Sequence, residues 1–106
     1  MIYAVKARYI SDRLPEFYGR LTDGSIQCQR PDGEEICASM ERARITAPGV
    51  VEWTELCFCS PPLQHERATV YDRYFTDLNI VKISGHRELV GHSFVDFLRT
   101  SALATK

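Results

Sequence analysis

Residues 50–59 constrain the fold more than any other stretch. As an extended strand they place Val51, Trp53, Glu55, Cys57 and Cys59 on one face. Val50, Glu52, Thr54, Leu56 and Phe58 fall on the other, because successive side chains alternate. Both faces are substantially apolar, so both need cover. A chain of 106 residues is long enough for one domain, spanning 1–106, and too short for two. A domain of this size buries roughly 60–70% of the surface its unfolded chain exposes, which allows one modest core. Cover for the second face must then come from elsewhere. A homodimer packing sheet against sheet is the simplest source.

The rest of the composition narrows the class. With 44% hydrophobic and 25% charged residues the chain reads as globular rather than disordered. Thirteen basic residues against fourteen acidic ones leave a formal charge of −1, which removes the electrostatic footprint of a nucleic-acid binder. No stretch approaches the ~20 apolar residues of a membrane span. Lys6 and Arg8 interrupt the amino-terminal segment before a signal-peptide core can form. The expected compartment is therefore cytoplasmic, with Cys28, Cys37, Cys57 and Cys59 as free thiols and no disulfide.

Periodicity supplies the remaining elements. Residues 2–9 alternate as a half-buried strand with Tyr3, Val5, Ala7 and Tyr9 on one face. Ser11 or Asp12 caps a helix carrying Leu14, Phe17, Tyr18 and Leu21, with Pro15 in its first turn and a stop at Asp23-Gly24. Residues 25–31 are polar connection. A second helix starts at Asp32 with Glu35 placed for a capping box, carries Ile36, Met40 and Ala43, and ends at Pro48-Gly49. Residues 67–75, rich in Thr, Val, Tyr and Phe, favour a strand that would pair with residues 50–59. The alternative is a helix opened by Ser60 as N-cap and Pro61 at N1, running through Tyr74. Residues 78–83 form a short strand before a turn at Ser84-Gly85, and a last helix carries Phe94, Phe97 and Leu98 before fraying from Ser101. This order predicts an α+β protein: a ferredoxin-like α/β sandwich, an antiparallel sheet with helices on one face.

Several residues have chemical potential. On a strand, Cys57 and Cys59 share a face but stand ~6.5–7 Å apart. Zinc holds thiolates at ~2.3 Å each, so the strand would have to break to chelate, and no metal is expected. Glu55 shares the face of Trp53, where desolvation would raise its pKa and fit it for proton transfer; the competing reading pairs it with Arg67 or Arg73. His65, Glu66 and Arg67 bring an acid–base side chain, a carboxylate and a guanidinium together before the next element. Tyr71 and Tyr74 alternate with Asp72 and Arg73 and would complete, with Trp53, an aromatic wall for a flat ligand. His86 and His92 read as structural. There is no GxSxG elbow, phosphate-cradling glycine loop or HExxH helix, so no cofactor site is apparent and triad or nucleotide-dependent chemistry is not expected.

Two resemblances add to this reading. Residues 47–53, Ala-Pro-Gly-Val-Val-Glu-Trp, followed by residues 67–77, resemble the core of the dimeric α/β-barrel superfamily, which includes cofactor-free monooxygenases, isomerases and cyclases. Residues 18–24, 53–59 and 62–68 resemble the small HapK/RedY-like proteins of prodiginine (tripyrrole pigment) biosynthesis. That resemblance implies a ferredoxin-like homodimer acting in the bipyrrole branch of an antibiotic and pigment pathway. It carries no catalytic signature of its own. Joined to the residues above, it leads to the expectation of a protein that binds, cyclises or condenses an aromatic pyrrole intermediate. Glu55, His65 and Glu66 would handle protons, while Trp53, Arg67, Tyr71 and Tyr74 would hold the ligand. The rival expectation is a non-catalytic accessory or carrier protein that binds a pathway enzyme or a hydrophobic intermediate.

Overall fold

The computed structural model describes residues 1–104. Strand β1 (Ile2–Tyr9) buries Tyr3, Val5 and Ala7, as its alternation requires. A 3-10 turn at Ser11–Arg13 leads into α1 (Leu14–Thr22), with no side-chain cap at either candidate position. Gly24 follows at φ +89°, the left-handed conformation that glycine adopts without strain. Helix α2 (Gly33–Arg42) begins after Asp32, but the capping box does not form. Glu35 instead accepts bonds from Arg42, Ser39 and the Leu56 backbone N–H, tying α2 to the end of the sheet. The helix also ends earlier than Pro48-Gly49, because residues 44–47 form a separate edge strand, β2 (Arg44–Ala47). Residues 25–31 are not merely polar connection, since Ile26 is wholly buried.

Strand β3 (Val50–Leu56) stops three residues short of its expected end. The next element corrects the preferred reading: residues 64–74 are helical, not a strand. This helix, α3, runs as Gln64–Glu66, a wider π turn at Arg67–Tyr71, and Asp72–Tyr74. It does not open with Ser60 as cap; it follows Leu63, which sits at φ 61°. In the π turn the Asp72 N–H reaches back five residues to the Arg67 carbonyl, and the neighbours Val70 and Tyr71 both face the core. Strand β4 (Phe75–Ile83), a two-residue β5 (His92–Ser93) and α4 (Phe94–Ala104) complete the chain. The final helix holds through Ala104 rather than fraying from Ser101, and Thr105 and Lys106 lie outside the described residues.

The sheet is antiparallel throughout, ordered β4-β1-β3-β2-β5. On one face Tyr3, Val5, Ala7, Val51 and Trp53 meet Phe17 of α1, Ile36 and Met40 of α2, Val70 and Tyr71 of α3, and Phe94 and Leu98 of α4. On the other face, register aligns Arg44, Glu52, Lys6 and Asn79 across four strands, a polar row. Residues 84–91 cross this second face, where His86 Nδ1 lies 2.7 Å from Thr54 Oγ1. Part of the cover that the two-faced strand demanded therefore comes from the chain itself.

Candidate functional site

The carboxyl end of β3 gathers the chemistry. Glu55 is wholly buried on the helix-covered face. Its Oε1 accepts bonds from the Trp53 indole N–H at 2.9 Å and the Tyr71 hydroxyl at 2.6 Å, while Oε2 has no partner among the described residues. Burial pushes its carboxyl up to about 8, with Glu66 and Glu35 adding like-charge repulsion and the two hydrogen bonds opposing. At neutral pH Glu55 is thus mostly a neutral acid. Neither Arg67 nor Arg73 pairs with it: Arg67 binds Asp72 at the surface and Arg73 binds Glu16. The desolvated reading of Glu55 holds, and the ion-pair reading does not.

The aromatic wall exists, but as core. Trp53 and Tyr71 are fully buried with ring centroids 5.1 Å apart. Tyr74 belongs to a different neighbourhood: it stacks on Phe17 at 4.2 Å and donates its hydroxyl hydrogen to Glu16. Trp53 and Glu55 are both sealed from solvent, so neither side chain offers a ligand an open surface, contrary to the expectation from the strand.

The cavity lies just beyond, where the strand ends. About 430 Å³ opens between the start of α2, the start of α3 and residues 56–59. Pro31, Leu56 and Phe58 form apolar walls, and Phe58 is 81% exposed. Glu35, Glu66 and Asp32 supply carboxyl groups, and Cys57 and Cys59 supply thiols. Among the described residues no lysine or arginine lines it. Leu56 closes the regular strand, the Cys57 N–H adds one last bond to the Met1 carbonyl, and residues 58–59 leave the sheet. Cys57 Sγ thereby accepts backbone N–H bonds from Cys59 at 3.2 Å and Leu63 at 3.4 Å. Burial pushes its thiol up to about 12, with the Cys59 and Glu66 side chains contributing in the same direction. The Cys59 thiol donates to Glu66 Oε1 at 3.5 Å.

His65 and Asp32 form the cavity's outer buttress. The His65 ring nitrogen Nδ1 bonds the Asp32 carboxylate, whose other oxygen accepts from Gln29. Gln29 also donates to Thr69 Oγ1 at 2.8 Å, locking the loop before α2 onto α3. Of the predicted site residues, Trp53, Glu55 and Tyr71 form one buried group, and Glu66 faces the cavity. His65 is a brace beside the cavity, while Arg67 and Tyr74 lie in surface or core contacts elsewhere. Asp32, Glu35 and the convergence of the two thiols escaped the sequence. The capping-box spacing assigns Glu35 to the helix start, and only the early end of β3 brings Cys57 and Cys59 together. Of the two histidines read as structural, His86 braces the outer face and His92 lies in β5.

No family model, curated protein or solved structure matches this chain.

Proposed function

We propose that this protein binds a compact, flat, largely apolar ligand carrying N–H donors, of the aromatic pyrrole type, in the cavity at the carboxyl end of β3. One observation carries the reading: apolar walls surround a lining whose polar groups are carboxyls and thiols, with no lysine or arginine among the described lining residues, and Glu66 is the carboxyl there that no cation pairs. Such a lining disfavours phosphates and carboxylates and suits a ligand that donates hydrogen bonds. Exposed Phe58 offers a ring face for stacking.

The wider reading is a ferredoxin-like domain of the dimeric α/β-barrel type, working in prodiginine-type biosynthesis in the cytoplasm. The strand order β4-β1-β3-β2, with β5 added at the edge, supports the fold. The pathway rests on the sequence resemblance. A homodimer would use the outer sheet face, where Val81 is 53% exposed, and residues 84–91 would share that interface.

A carrier role is the second reading, and a specific observation favours it. Trp53, Glu55 and Tyr71 are sealed from solvent, which leaves Glu66, itself 2% exposed, as the proton-transfer candidate nearest the ligand. Calorimetric titration with a bipyrrole and with its furan-containing analogue tests the binding. The bipyrrole should bind at least ~10-fold more tightly, because an unpaired buried acceptor costs about 1–3 kcal/mol. Phe58→Ala should weaken binding without loss of stability. Equal affinity for the two compounds, or unchanged binding by Phe58→Ala, would remove the cavity from consideration. Glu66→Gln separates the roles: an enzyme loses turnover and keeps binding, while a carrier shows no turnover to lose.

A further inference from the structure

We propose that Cys57, Cys59 and Glu66 form a binding site for a thiophilic divalent cation, zinc by its ligand chemistry, with one coordination position open to the cavity. The three donors converge whatever organic ligand the cavity takes. It replaces the expectation of a metal-free chain.

Alternate residues on an extended strand stand too far apart to share one zinc ion. Regular strand geometry ends at Leu56, and the backbone N–H of Cys59 lies 3.2 Å from Cys57 Sγ, so the spacing of an extended strand does not hold for these two thiols. One donor atom from each of Cys57, Cys59 and Glu66 lies within 4.8 Å of the others. A tetrahedral zinc ion with bonds of ~2.0–2.3 Å sets its donors a little under ~4 Å apart, a distance that modest side-chain rotation closes.

Two further observations point to an ion. Glu66 is 2% exposed, yet among the described residues no lysine, arginine or histidine forms an ion pair with it. Its recorded hydrogen bond comes from a thiol, a weak donor, at 3.5 Å. Buried carboxylates are ordinarily paired or metal-bound. The two backbone N–H groups directed at Cys57 Sγ are also the outer-sphere donors that support a metal-bound thiolate.

Donor softness selects the metal. Two thiolates with one carboxylate disfavour magnesium and calcium, which take oxygen, and suit zinc. Three protein donors leave the fourth tetrahedral position for water or for a group entering from the cavity, the arrangement of zinc sites that act on ligands. Binding releases the two thiol protons to solvent as the sulfurs become thiolates.

Cobalt(II) titration of the reduced full-length chain tests this. One equivalent should produce a thiolate-to-cobalt charge-transfer band and the visible bands of a tetrahedral ion, and zinc should abolish both. Cys59→Ser, at a half-buried position, should lose the band. Glu66→Gln should keep it with affinity reduced roughly 10–100-fold, and Cys28→Ser, at an exposed position, should leave it unchanged. Should Cys59→Ser fail to fold, alkylation of the parent chain decides: zinc should shield half-buried Cys59 from a maleimide while exposed Cys28 reacts. Absence of the band in a chain with four titratable thiols, a band that survives Cys59→Ser, or no zinc shielding would overturn the site.

Discussion

Glu55 and Glu16 each accept a hydrogen bond from a tyrosine of the same helix, and their surroundings drive them in opposite directions. Tyr71 donates to Glu55 and Tyr74 to Glu16, both at 2.6 Å. Glu16 lies at the surface beside Arg73, whose guanidinium holds its carboxyl down to about 2, with the Tyr74 bond helping. Glu55 has the Trp53 indole in place of a cation and no solvent, and its carboxyl rises to about 8. A tyrosine partner therefore does not set the ionisation of either group. Solvent and net charge within reach do.

Removing the indole should have the largest effect. Trp53→Ala leaves a void in the centre of the sheet and strips an N–H from Glu55, so urea unfolding should show a loss of roughly 3–5 kcal/mol. Trp53→Phe removes the same donor but keeps most of the volume, so it should cost distinctly less. Equal losses from both would mean that the hydrogen bond, not packing, dominates at this position.

The pH dependence of stability comes next. Glu55 titrates at about 8 in the folded chain against a reference of 4.5, so the native state binds the extra proton between those values. Stability from this group is full below the lower value and is lost as pH rises through the upper one. The limiting slope is about 1.4 kcal/mol per pH unit. Glu55→Gln, compared with the parent chain in chelator, should flatten that decline. A difference curve without slope between pH 5 and 8 (the window set by these two values) would show that water reaches the carboxyl.

Glu16→Gln should have the smallest effect, as expected for an exposed ion pair. Here the sign reverses. The depressed carboxyl contributes above its reference of 4.5, and its contribution disappears as pH falls through about 2. Acid unfolding of the variant and parent chain should therefore converge at the low end. A gap that widens toward acid would contradict the assignment of Arg73 as its partner.

The sequence spoke clearly where local pattern and tertiary environment agree. The alternation of Tyr3, Val5 and Ala7, and the helical spacing of Leu14, Phe17 and Leu21, both carried through into the fold. Residues 64–74 show the opposite case. Thr69, Val70, Tyr71 and Tyr74 favour a strand by type, yet Leu63, Val70 and Tyr74 recur at helical spacing, and all three are buried. Packing of Tyr74 on Phe17 and of Tyr71 on Trp53 outweighed propensity. The short strands β2 and β5 left no signal, because two to four residues at a sheet edge are too few to establish a period. The face of Glu55 left two readings open, a desolvated acid and an ion pair with Arg67 or Arg73, and its burial with both arginines paired elsewhere decides between them. The Tyr71 donor of Glu55 was not legible, since that contact exists only if residues 64–74 are helical. The cavity was hidden for a related reason: it depends on where β3 stops.

The π turn at Arg67–Tyr71 changes how a length difference would act on this chain. A wide turn of this kind holds one residue more than an α-helical path needs. A chain with one residue fewer between positions 67 and 71 could continue as plain α-helix into Asp72–Tyr74, keeping the Tyr74 stack in phase. The change would fall on the pair Val70 and Tyr71, which could no longer both turn inward. Glu55 would lose its hydroxyl donor while the surrounding architecture stayed whole. A gap of a single residue would then divide otherwise similar sequences into those that seal this acid with a tyrosine and those that leave it open to another partner.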